Sequence, residues 1–289
     1  MILQTIKNIS LTGKSVELQN ITNNDISILT IDDYKLLHDI LMGPHVALAL
    51  VLLEKLGFFN YTIPEIQKCV NIKTSKHFKE IWPHTIKVIN QTPPKLTIRW
   101  AAFFHDLGKA QSFRLQQGKV TFHHHEKKSA KIFSKFASKF DIFTPGQYSC
   151  IYFLIANLGY VEGYEYKWTD SAVRRFAKKM GIYLDDLLVL SSADITTGNN
   201  ARKEKILKKI DDLKNRIKTI QEEDDRQKLL PKGLGLYISQ QLNIPVGPEI
   251  GVLRKILEDK VNSGILLPNL ECDYYINYLK ENIVEENYQ

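Results

Sequence analysis

The chain has 289 residues, 44% of them hydrophobic, so it can bury a sizeable core and is not an intrinsically disordered protein. Its formal net charge of +7 favours phosphate-bearing partners, although solubility alone would account for much of it. The three cysteines have neither disulfide nor zinc-ligand spacing, and this favours a reducing cytoplasm. Because the apolar runs end at charges well short of about 18 residues, we expect a cytoplasmic protein that does not enter membranes.

The first third of the chain predicts a series of short helices. Residues 1–29 carry apolar alternation too weak to assign to a helix or a strand. Thr30 and Asp33 match a capping box, and the apolar residues that follow recur at helical spacing as far as Gly43. Two further helices bounded by prolines and glycines are predicted to follow.

Two neighbouring helices are predicted to carry histidines at their ends. Pro83 is tolerated only in the first turn of a helix, which places His84 near a helix N-terminus. The next helix, residues 96–104, is strongly apolar and leads directly into His105 and Asp106. Gly108 indicates that this helix ends there.

The remainder of the chain is predicted to be helical apart from one β-hairpin at residues 113–122. Apolar stripes at helical spacing cover residues 130–140 and 184–194. Residues 201–227 show a heptad-like seam, which predicts a long helix packed against other helices. Residues 242–282 predict two final helices.

The His105-Asp106 pair is the first candidate site. Burying an imidazole and a carboxylate at the end of an apolar helix is costly unless a partner satisfies them, and a divalent cation is the usual partner. An isolated His-Asp pair is a weak signal, since a satisfied buried histidine is more common than a metal ligand. Asp194 lies in phase with the apolar face of its helix, so its carboxylate is predicted to point inward. A C-terminal aspartate in a polar turn is the alternative.

Several longer stretches resemble the HD-domain metal-dependent phosphohydrolases. The similarity is greater to the HD-containing body of bacterial tRNA nucleotidyltransferases, the family of CCA-adding enzymes and poly(A) polymerases, and it covers most of residues 31–285. The matching stretches are LLEKLGFF at 52–59, IPE at 63–65, WPHT at 82–85, AAFFHDLGK at 101–109, VTFHHHE at 120–126, SAVRRF at 171–176, AD at 193–194 and PVGPEIG at 245–251.

The resemblance implies an all-α fold, an HD-domain helical bundle with one small β-hairpin and a C-terminal helical extension. We expect residues 1–29 to form an unassigned N-terminal segment. Residues 30–200 would form the HD domain with preceding neck-like helices, and residues 201–289 the helical extension.

The resemblance also implies the roles of individual residues. The implied metal ligands are His84, His105, Asp106 and Asp194. The implied catalytic residues are Asp106, Lys109 and His125, and the implied substrate-binding residues are Lys109, His125, Arg174 and Arg175. A solvated lysine and arginines that bridge helices are the alternative interpretation of the three cations.

The mixed imidazole and carboxylate set suits Mn²⁺, Mg²⁺, Ni²⁺ or Fe²⁺ more than a structural Zn²⁺. Leu158 occupies a position where the family often has a histidine, which favours one metal ion over two. Residues 1–80 contain no Gly-rich turn followed by an Asp-x-Asp pair, so the catalytic head of a nucleotidyltransferase is absent from them. We therefore expect that this chain does not add CCA by itself.

The sequence predicts a phosphohydrolase that acts on RNA phosphate ends, 2′,3′-cyclic phosphates or small nucleotides, with tRNA as one candidate substrate. The alternative is a non-catalytic RNA-binding body that holds tRNA through the basic segment 201–219 and works with a separately encoded nucleotidyltransferase head. A third interpretation is a scaffold whose metal only stabilises the fold.

Overall fold

The computed structural model describes residues 2–14, 24–25, 28–71, 80–116, 119–226 and 229–282. The described chain is almost entirely helical, which confirms the predicted all-α class. The helices are α1 (Ile2–Thr12), α2 (Ile31–Met42), α3 (Val46–Lys55), α4 (Phe58–Thr62), α5 (Pro64–Asn71), α6 (Ile81–Gln91), α7 (Leu96–Phe104), α8 (Lys109–Ser112), α9 (His125–Phe140), α10 (Pro145–Asn157), α11 (Gly159–Glu162), α12 (Asp170–Met180), α13 (Leu184–Ala193), α14 (Asn200–Arg226), α15 (Leu234–Leu242), α16 (Pro248–Asn262) and α17 (Cys272–Asn282).

The predicted β-hairpin is present between α8 and α9. Strands β1 (Arg114–Gln116) and β2 (Lys119–Thr121) pair antiparallel, with Leu115 opposite Val120. The two residues of the turn between them lie outside the described residues. The predicted capping box at the start of α2 is also confirmed, because the Thr30 hydroxyl accepts from the amide of Asp33 and the Asp33 carboxylate accepts from the amide of Thr30.

Some helices, among them α1 and α15, were not predicted individually from the sequence. Helix α1 lies in the stretch that was left unassigned, and it buries Leu3, Ile6 and Ile9 at helical spacing. Helix α15 lies between the long helix predicted over residues 201–227 and the two predicted over residues 242–282. Both are short amphipathic helices, whose pattern is too brief to distinguish from loop without the neighbours they pack against.

Helix α7 is the centre of the fold, because every residue from Ile98 to Phe104 is buried. Its aromatic side chains pack against those of the surrounding helices, with ring centroids 5.3 to 5.9 Å apart. The participating residues are Trp82, Trp100, Phe103, Phe104, Phe133 and Phe136. Burial of this many aromatic rings fixes α6 and α9 around the end of α7.

A buried arginine links α7 to the ends of two other helices. Arg99 is only 5% exposed, and its guanidinium donates to the carbonyl oxygens of Leu41, Gly43 and Thr92. Leu41 and Gly43 lie at the C-terminal end of α2, and Thr92 follows α6. The carbonyls that a helix leaves unpaired at its C-terminus are therefore satisfied by a fixed cation.

The chain divides into two compact units, Met1–Lys214 and Asn215–Gln289, and helix α14 contributes residues to both. The second unit has its own apolar core, built from Leu230, Leu234, Ile238, Ile250, Leu257, Val261, Leu266, Tyr275, Ile276 and Leu279. The predicted division at residue 200 stays a prediction. Among the described helices, none combines the length and the apolar character needed to cross a membrane.

Candidate metal centre

Three helix ends of the first unit bring the predicted ligands together. His84 lies in the first turns of α6, His105 and Asp106 follow directly after α7, and Asp194 caps the C-terminus of α13. His105 and Asp106 are each 2% exposed, and the Asp194 side chain is 20% exposed. The adjacent residues 105 and 106 can face one point because the helix ends before them, as the sequence predicts.

The ligand atoms of His84, His105 and Asp194 all lie within 4.8 Å of one another. Asp194 Oδ1 is 2.9 Å from His84 Nε2 and 3.2 Å from His105 Nε2. Asp106 joins this group through Oδ2, which lies 3.3 Å from His84 Nε2 and 3.4 Å from His105 Nε2. The structure thus brings all four residues predicted as ligands into one cluster, called the His-Asp cluster below.

Both imidazoles of the His-Asp cluster are oriented through Nδ1. His105 Nδ1 lies 2.7 Å from the carbonyl oxygen of Ala102. A carbonyl can only accept, so this nitrogen carries the proton and Nε2 keeps its lone pair when the ring is neutral. His84 Nδ1 shares a 2.8 Å hydrogen bond with the Thr196 hydroxyl. Such outer contacts are how proteins fix the ring orientation of metal-binding histidines.

Two atoms of the His-Asp cluster are buried without a hydrogen-bond partner. They are His105 Nε2 and Asp194 Oδ1, which face each other at the centre. A buried polar group without a partner costs about 1–3 kcal/mol, so these two atoms, 3.2 Å apart, require either a shared proton or a cation. A divalent cation fits, because imidazole nitrogen and carboxylate oxygen are the donors that borderline and hard divalent ions accept.

The end of α13 is attached to the helix that carries His84. Gln91 Nε2 donates to the carbonyl oxygen of Ala193 at 2.6 Å, and Lys87 Nζ donates to that of Thr196 at 3.3 Å. Both donors belong to α6. The turn that carries Asp194 therefore keeps a fixed position relative to His84, although 110 positions separate them in the sequence.

Lys109 and His125 contact Asp106 from two sides. Lys109 Nζ lies 2.6 Å from Asp106 Oδ2, and His125 Nε2 lies 3.5 Å from Asp106 Oδ1. His125 Nδ1 is 3.1 Å from the Phe122 carbonyl oxygen, so this ring also presents Nε2 to the site. Both residues thus lie beside the cluster, where the resemblance implies that they act.

Gly108 permits His125 to approach. A Cβ atom at position 108 would lie 2.2 Å from the carbonyl oxygen of His125 and 2.6 Å from the amide of Ser129. The Gly108 amide also donates to the Ser129 hydroxyl at 2.9 Å. Its φ of −67° is open to any residue. Close backbone contact with the first turn of α9, and not a left-handed helix cap, is therefore the reason for glycine here.

The charges of the His-Asp cluster shift the pKa values of its members. Burial opposes the charge on His105, but Asp106 and Asp194 outweigh it and raise the pKa of His105 to about 10. The charges of His105 and Lys109 outweigh burial and hold the pKa of Asp106 well below its ordinary value. For Asp194, His105 likewise outweighs burial and lowers the pKa. A cation that binds here would thus replace a proton.

The two outer groups have opposite shifts. Burial lowers the pKa of His125, and the opposing charge of Asp106 only partly offsets this effect, so the ring is neutral near pH 7. Burial also acts against the charge of Lys109, but Asp106 outweighs it and raises the pKa of the amine. The site therefore pairs a permanent cation with a neutral imidazole.

Arg174 and Arg175 lie farther along the chain on α12. Arg175 is exposed and Arg174 is half-buried. Neither lines the cavity that adjoins Asp194, among the residues that the structure describes. Their substrate-binding role stays a prediction from the resemblance. His123 and His124 are both exposed, as expected for residues without a role in the site.

The sequence interpretation missed a cavity of about 430 Å³ next to Asp194. Its lining includes Glu162, Arg202 and Lys209. Burial raises the pKa of Glu162, and the nearby charge of Asp194 raises it further. Thr196 was missed as well. The one sequence signal for its contact with His84 is its position two residues after the predicted ligand Asp194.

Comparison with known proteins agrees with this geometry. The HD domain family matches residues 73–145, which include His84, His105, Asp106 and His125. The predicted resemblance is therefore confirmed for this region. Asp194 lies beyond the matched residues, and its membership of the site rests on the geometry.

The chain is also similar to an A-adding tRNA nucleotidyltransferase of Deinococcus radiodurans. The two proteins are 26% identical over 166 residues, which cover 55% of this chain and 37% of the relative. The chain thus matches little more than a third of the length of that protein. HD domains are a family of metal-dependent phosphohydrolases, and this is the functional class that the family match supports.

Proposed function

We propose that this protein is a metal-dependent phosphohydrolase that acts on phosphate esters of nucleotides, including the phosphate ends and 2′,3′-cyclic phosphates of RNA. The observation that carries the proposal is the His-Asp cluster itself: ligand atoms of His84, His105 and Asp194 lie within 4.8 Å of one another, and His105 Nε2 and Asp194 Oδ1 are buried at its centre. They adjoin a lysine and a neutral histidine, and a purely structural site would not need this combination.

The residues that would hold the ion are His84, His105, Asp106 and Asp194. When bound, a divalent cation supplies Lewis-acid chemistry: it lowers the pKa of a water molecule and offsets negative charge that develops on the phosphoryl oxygens. The single cluster and the leucine at position 158 favour one ion over two. The nitrogen and oxygen donors favour Mn²⁺, Mg²⁺, Ni²⁺ or Fe²⁺ over structural Zn²⁺.

Lys109 would stabilise the charge of the substrate. Its ammonium lies against Asp106 Oδ2 and is the one cation in direct contact with the cluster among the described residues. A phosphoryl group at the cluster would place its oxygens within reach of this amine. Preorganised charge of this kind stabilises a transition state that is more negative than the ground state.

His125 would transfer the proton. Its neutral ring keeps a lone pair on Nε2, beside Asp106 Oδ1. A proton taken up at this atom would be stabilised by the adjacent carboxylate, and the ring can then return it to the departing oxygen. Proton transfer by a positioned histidine contributes about 10²–10⁴-fold to a rate.

The test combines metal analysis with turnover. Purified protein is loaded with Mn²⁺, Mg²⁺, Ni²⁺ or Fe²⁺, and hydrolysis of bis-p-nitrophenyl phosphate and of 2′,3′-cyclic AMP is measured beside the bound metal. We expect about one ion per chain and turnover with at least one metal. His105→Ala and Asp106→Ala should lose both, whereas His123→Ala, a change to an exposed histidine, should lose neither. A wild-type protein that binds metal without hydrolysing any phosphoester contradicts the proposal.

The second candidate is a non-catalytic RNA-binding body that works with a separately encoded nucleotidyltransferase head. Two observations favour it: the similarity to an A-adding tRNA nucleotidyltransferase, and segment 201–219, which contains eight lysines and arginines against three acidic residues. Binding of tRNA that weakens steeply with salt would indicate phosphate contacts. If such binding survives in His105→Ala and neither protein hydrolyses a phosphoester, the second candidate is correct.

A further inference from the structure

Most residues that line the cavity beside Asp194 do not belong to the His-Asp cluster. It lies within the first unit, between the C-terminal end of α13, helix α11 and the beginning of α14. Its volume of about 430 Å³ falls in the range of small-molecule sites, about 300–1,000 Å³. This space greatly exceeds what a phosphate group alone would need.

One face of α14 forms the far wall of this cavity. Arg202, Ile206, Lys209 and Ile210 all line it. Ile206 is three or four positions from each of the others, which places the set on one side of the helix. The two cations are seven positions apart, or about 10 Å along the helix axis. The face therefore offers apolar surface between two positive charges.

The basic side chains of this region differ in their hydrogen bonds and ion pairs. Lys109 contacts Asp106, and Lys209 Nζ donates to the carbonyl oxygen of Glu162 at 3.4 Å. The guanidinium of Arg202 is exposed and has no hydrogen bond or ion pair with the described part of the chain. Arginine presents a planar fork of donors that matches phosphate oxygens.

We propose that this cavity binds the nucleoside of a nucleotide whose reacting phosphate lies at the His-Asp cluster, and that Arg202 binds a second phosphate of the same nucleotide. The inference rests on the proposed function and specifies its substrate class, a nucleoside with phosphate on both sides. A free nucleoside 3′,5′-bisphosphate and the terminal nucleotide of an RNA strand share this chemistry.

The lining suits each part of such a ligand. Val161, Ile195 and Ile206 provide apolar surface for a base. The Glu162 carboxylate can accept a hydrogen bond from a ribose hydroxyl or a base amino group. Asp194 belongs both to this lining and to the His-Asp cluster, so the cavity directly adjoins the proposed reacting position.

Equilibrium dialysis of the metal-loaded protein tests the inference with analogues that carry a 3′-phosphorothioate, in which sulfur slows turnover. The ligands are adenosine 3′-phosphorothioate with and without a 5′-phosphate, and thiophosphate alone. We expect the 5′-phosphate to tighten binding about tenfold, which corresponds to about 1.4 kcal/mol. Thiophosphate alone should bind at least about tenfold more weakly than the nucleoside ligand.

Arg202→Ala should reduce the advantage of the 5′-phosphate to less than about twofold and leave the affinity for adenosine 3′-phosphorothioate unchanged. Lys205→Ala is the matched control, because it removes the same charge from an exposed position of α14 that does not line the cavity. It should retain the advantage. Equal weakening of both ligands in Arg202→Ala, or no preference for the 5′-phosphate in the wild type, overturns the inference.

A short oligoribonucleotide with a 3′-phosphorothioate distinguishes the two sources of ligand. Binding tighter than that of the bisphosphate indicates an RNA end, and weaker binding indicates a free nucleotide; both depend on Arg202 if the inference is correct. Turnover of bis-p-nitrophenyl phosphate, which has no nucleoside, reports on the proposed function independently. If the wild-type protein does not hydrolyse bis-p-nitrophenyl phosphate but still prefers the ligand with a 5′-phosphate, the proposed hydrolase activity is rejected and the nucleotide-binding site is not.

Discussion

Two regions of the first unit bury ionisable groups, and the partners of those groups differ between the two regions. The Arg99 guanidinium is matched by three carbonyl oxygens at the ends of α2 and α6. The His-Asp cluster instead places two carboxylates and two imidazoles together and leaves His105 Nε2 and Asp194 Oδ1 without hydrogen bonds. In the first arrangement, both terminal nitrogens of the guanidinium have backbone acceptors, and only Arg99 Nε is buried without one. In the second, the carboxylates and imidazoles pair with one another, and a divalent cation would take the place of the proton on His105.

The comparison separates stability from function. A buried charge that the fold satisfies with fixed backbone acceptors contributes to folding, and its loss leaves those acceptors unpaired. A buried charge that remains unsatisfied is costly, and proteins retain such groups where they serve chemistry. Variants at the two regions should therefore differ in kind: one set changes the melting temperature, and the other changes metal binding and turnover.

The largest effect is expected from Asp194→Asn. The amide has nearly the same shape but no charge, so the protein should fold and lose its bound ion. Turnover should fall by about 10³-fold, the upper end of what one electrostatic contact contributes. Elemental analysis, steady-state kinetics and the melting temperature without metal are the measurements. A folded variant that keeps its metal and its rate would show that Asp194 is not a ligand.

Arg99→Leu should give the next largest effect, on stability. Three carbonyl oxygens would lose their donor, and we expect a loss of about 3 kcal/mol in the free energy of unfolding. Urea denaturation measures it. The folded fraction should still bind one ion, with unchanged affinity. If metal binding fails while stability is retained, the two regions are not separable and the comparison breaks.

Gly108→Ala should combine a smaller loss of stability with a loss of activity. The added Cβ would meet the backbone of His125 and Ser129, so helix α9 has to shift. We expect about 2 kcal/mol of destabilisation, as for other overpacked sites. The shift should also separate His125 from Asp106 and lower kcat more than metal affinity. Gly146→Ala, where a Cβ would meet nothing within 4 Å, is the control.

A change of stability is also expected with pH, and its sign should reverse with metal. The pKa of His105 is raised from 6.5 to about 10, so the metal-free protein loses stability as pH rises from 6.5 towards 10. The slope is at most about 1.4 kcal/mol per pH unit for one proton. Asp106 and Asp194 have lowered pKa values, so their contribution is lost as pH falls below 3.8.

Metal binding should show the opposite trend. A cation competes with the proton on His105, so the stabilisation that it provides should increase with pH above 6.5. Melting curves with and without Mn²⁺ at pH 6.5, 7.5 and 8.5 would measure both trends. A metal-free protein whose melting temperature rises across this range would contradict the assignment of the proton.

Much of this site could be predicted from the sequence, for reasons that are local. Pro83 fixed the helix start next to His84, the apolar run before His105 indicated a buried helix end, and the phase of Asp194 indicated an inward carboxylate. Each of these signals lies within about ten residues. The resemblance then joined them into one set, and the structure places them at one point.

The features that could not be predicted depend on contacts between distant segments. Thr196 orients His84 across 112 positions, and Gln91 reaches Ala193 across 102. The wall of the nucleoside cavity forms because α14 packs beside α11. Nothing in the sequence around Arg202 distinguishes it from the neighbouring lysines. Helix α1 was missed because its apolar positions gain meaning only when α2 and α3 cover them.

The turn after α13 holds His84 from both edges of its ring. Asp194 contacts Nε2 and Thr196 contacts Nδ1, with a single residue between them. The imidazole cannot rotate unless this turn moves, and the turn cannot move unless the ring is released. Binding of an ion at Nε2 would therefore also change the contact at Nδ1. Asp194 and Thr196 both line the neighbouring nucleoside cavity, so the shape of that cavity would depend on whether an ion is bound.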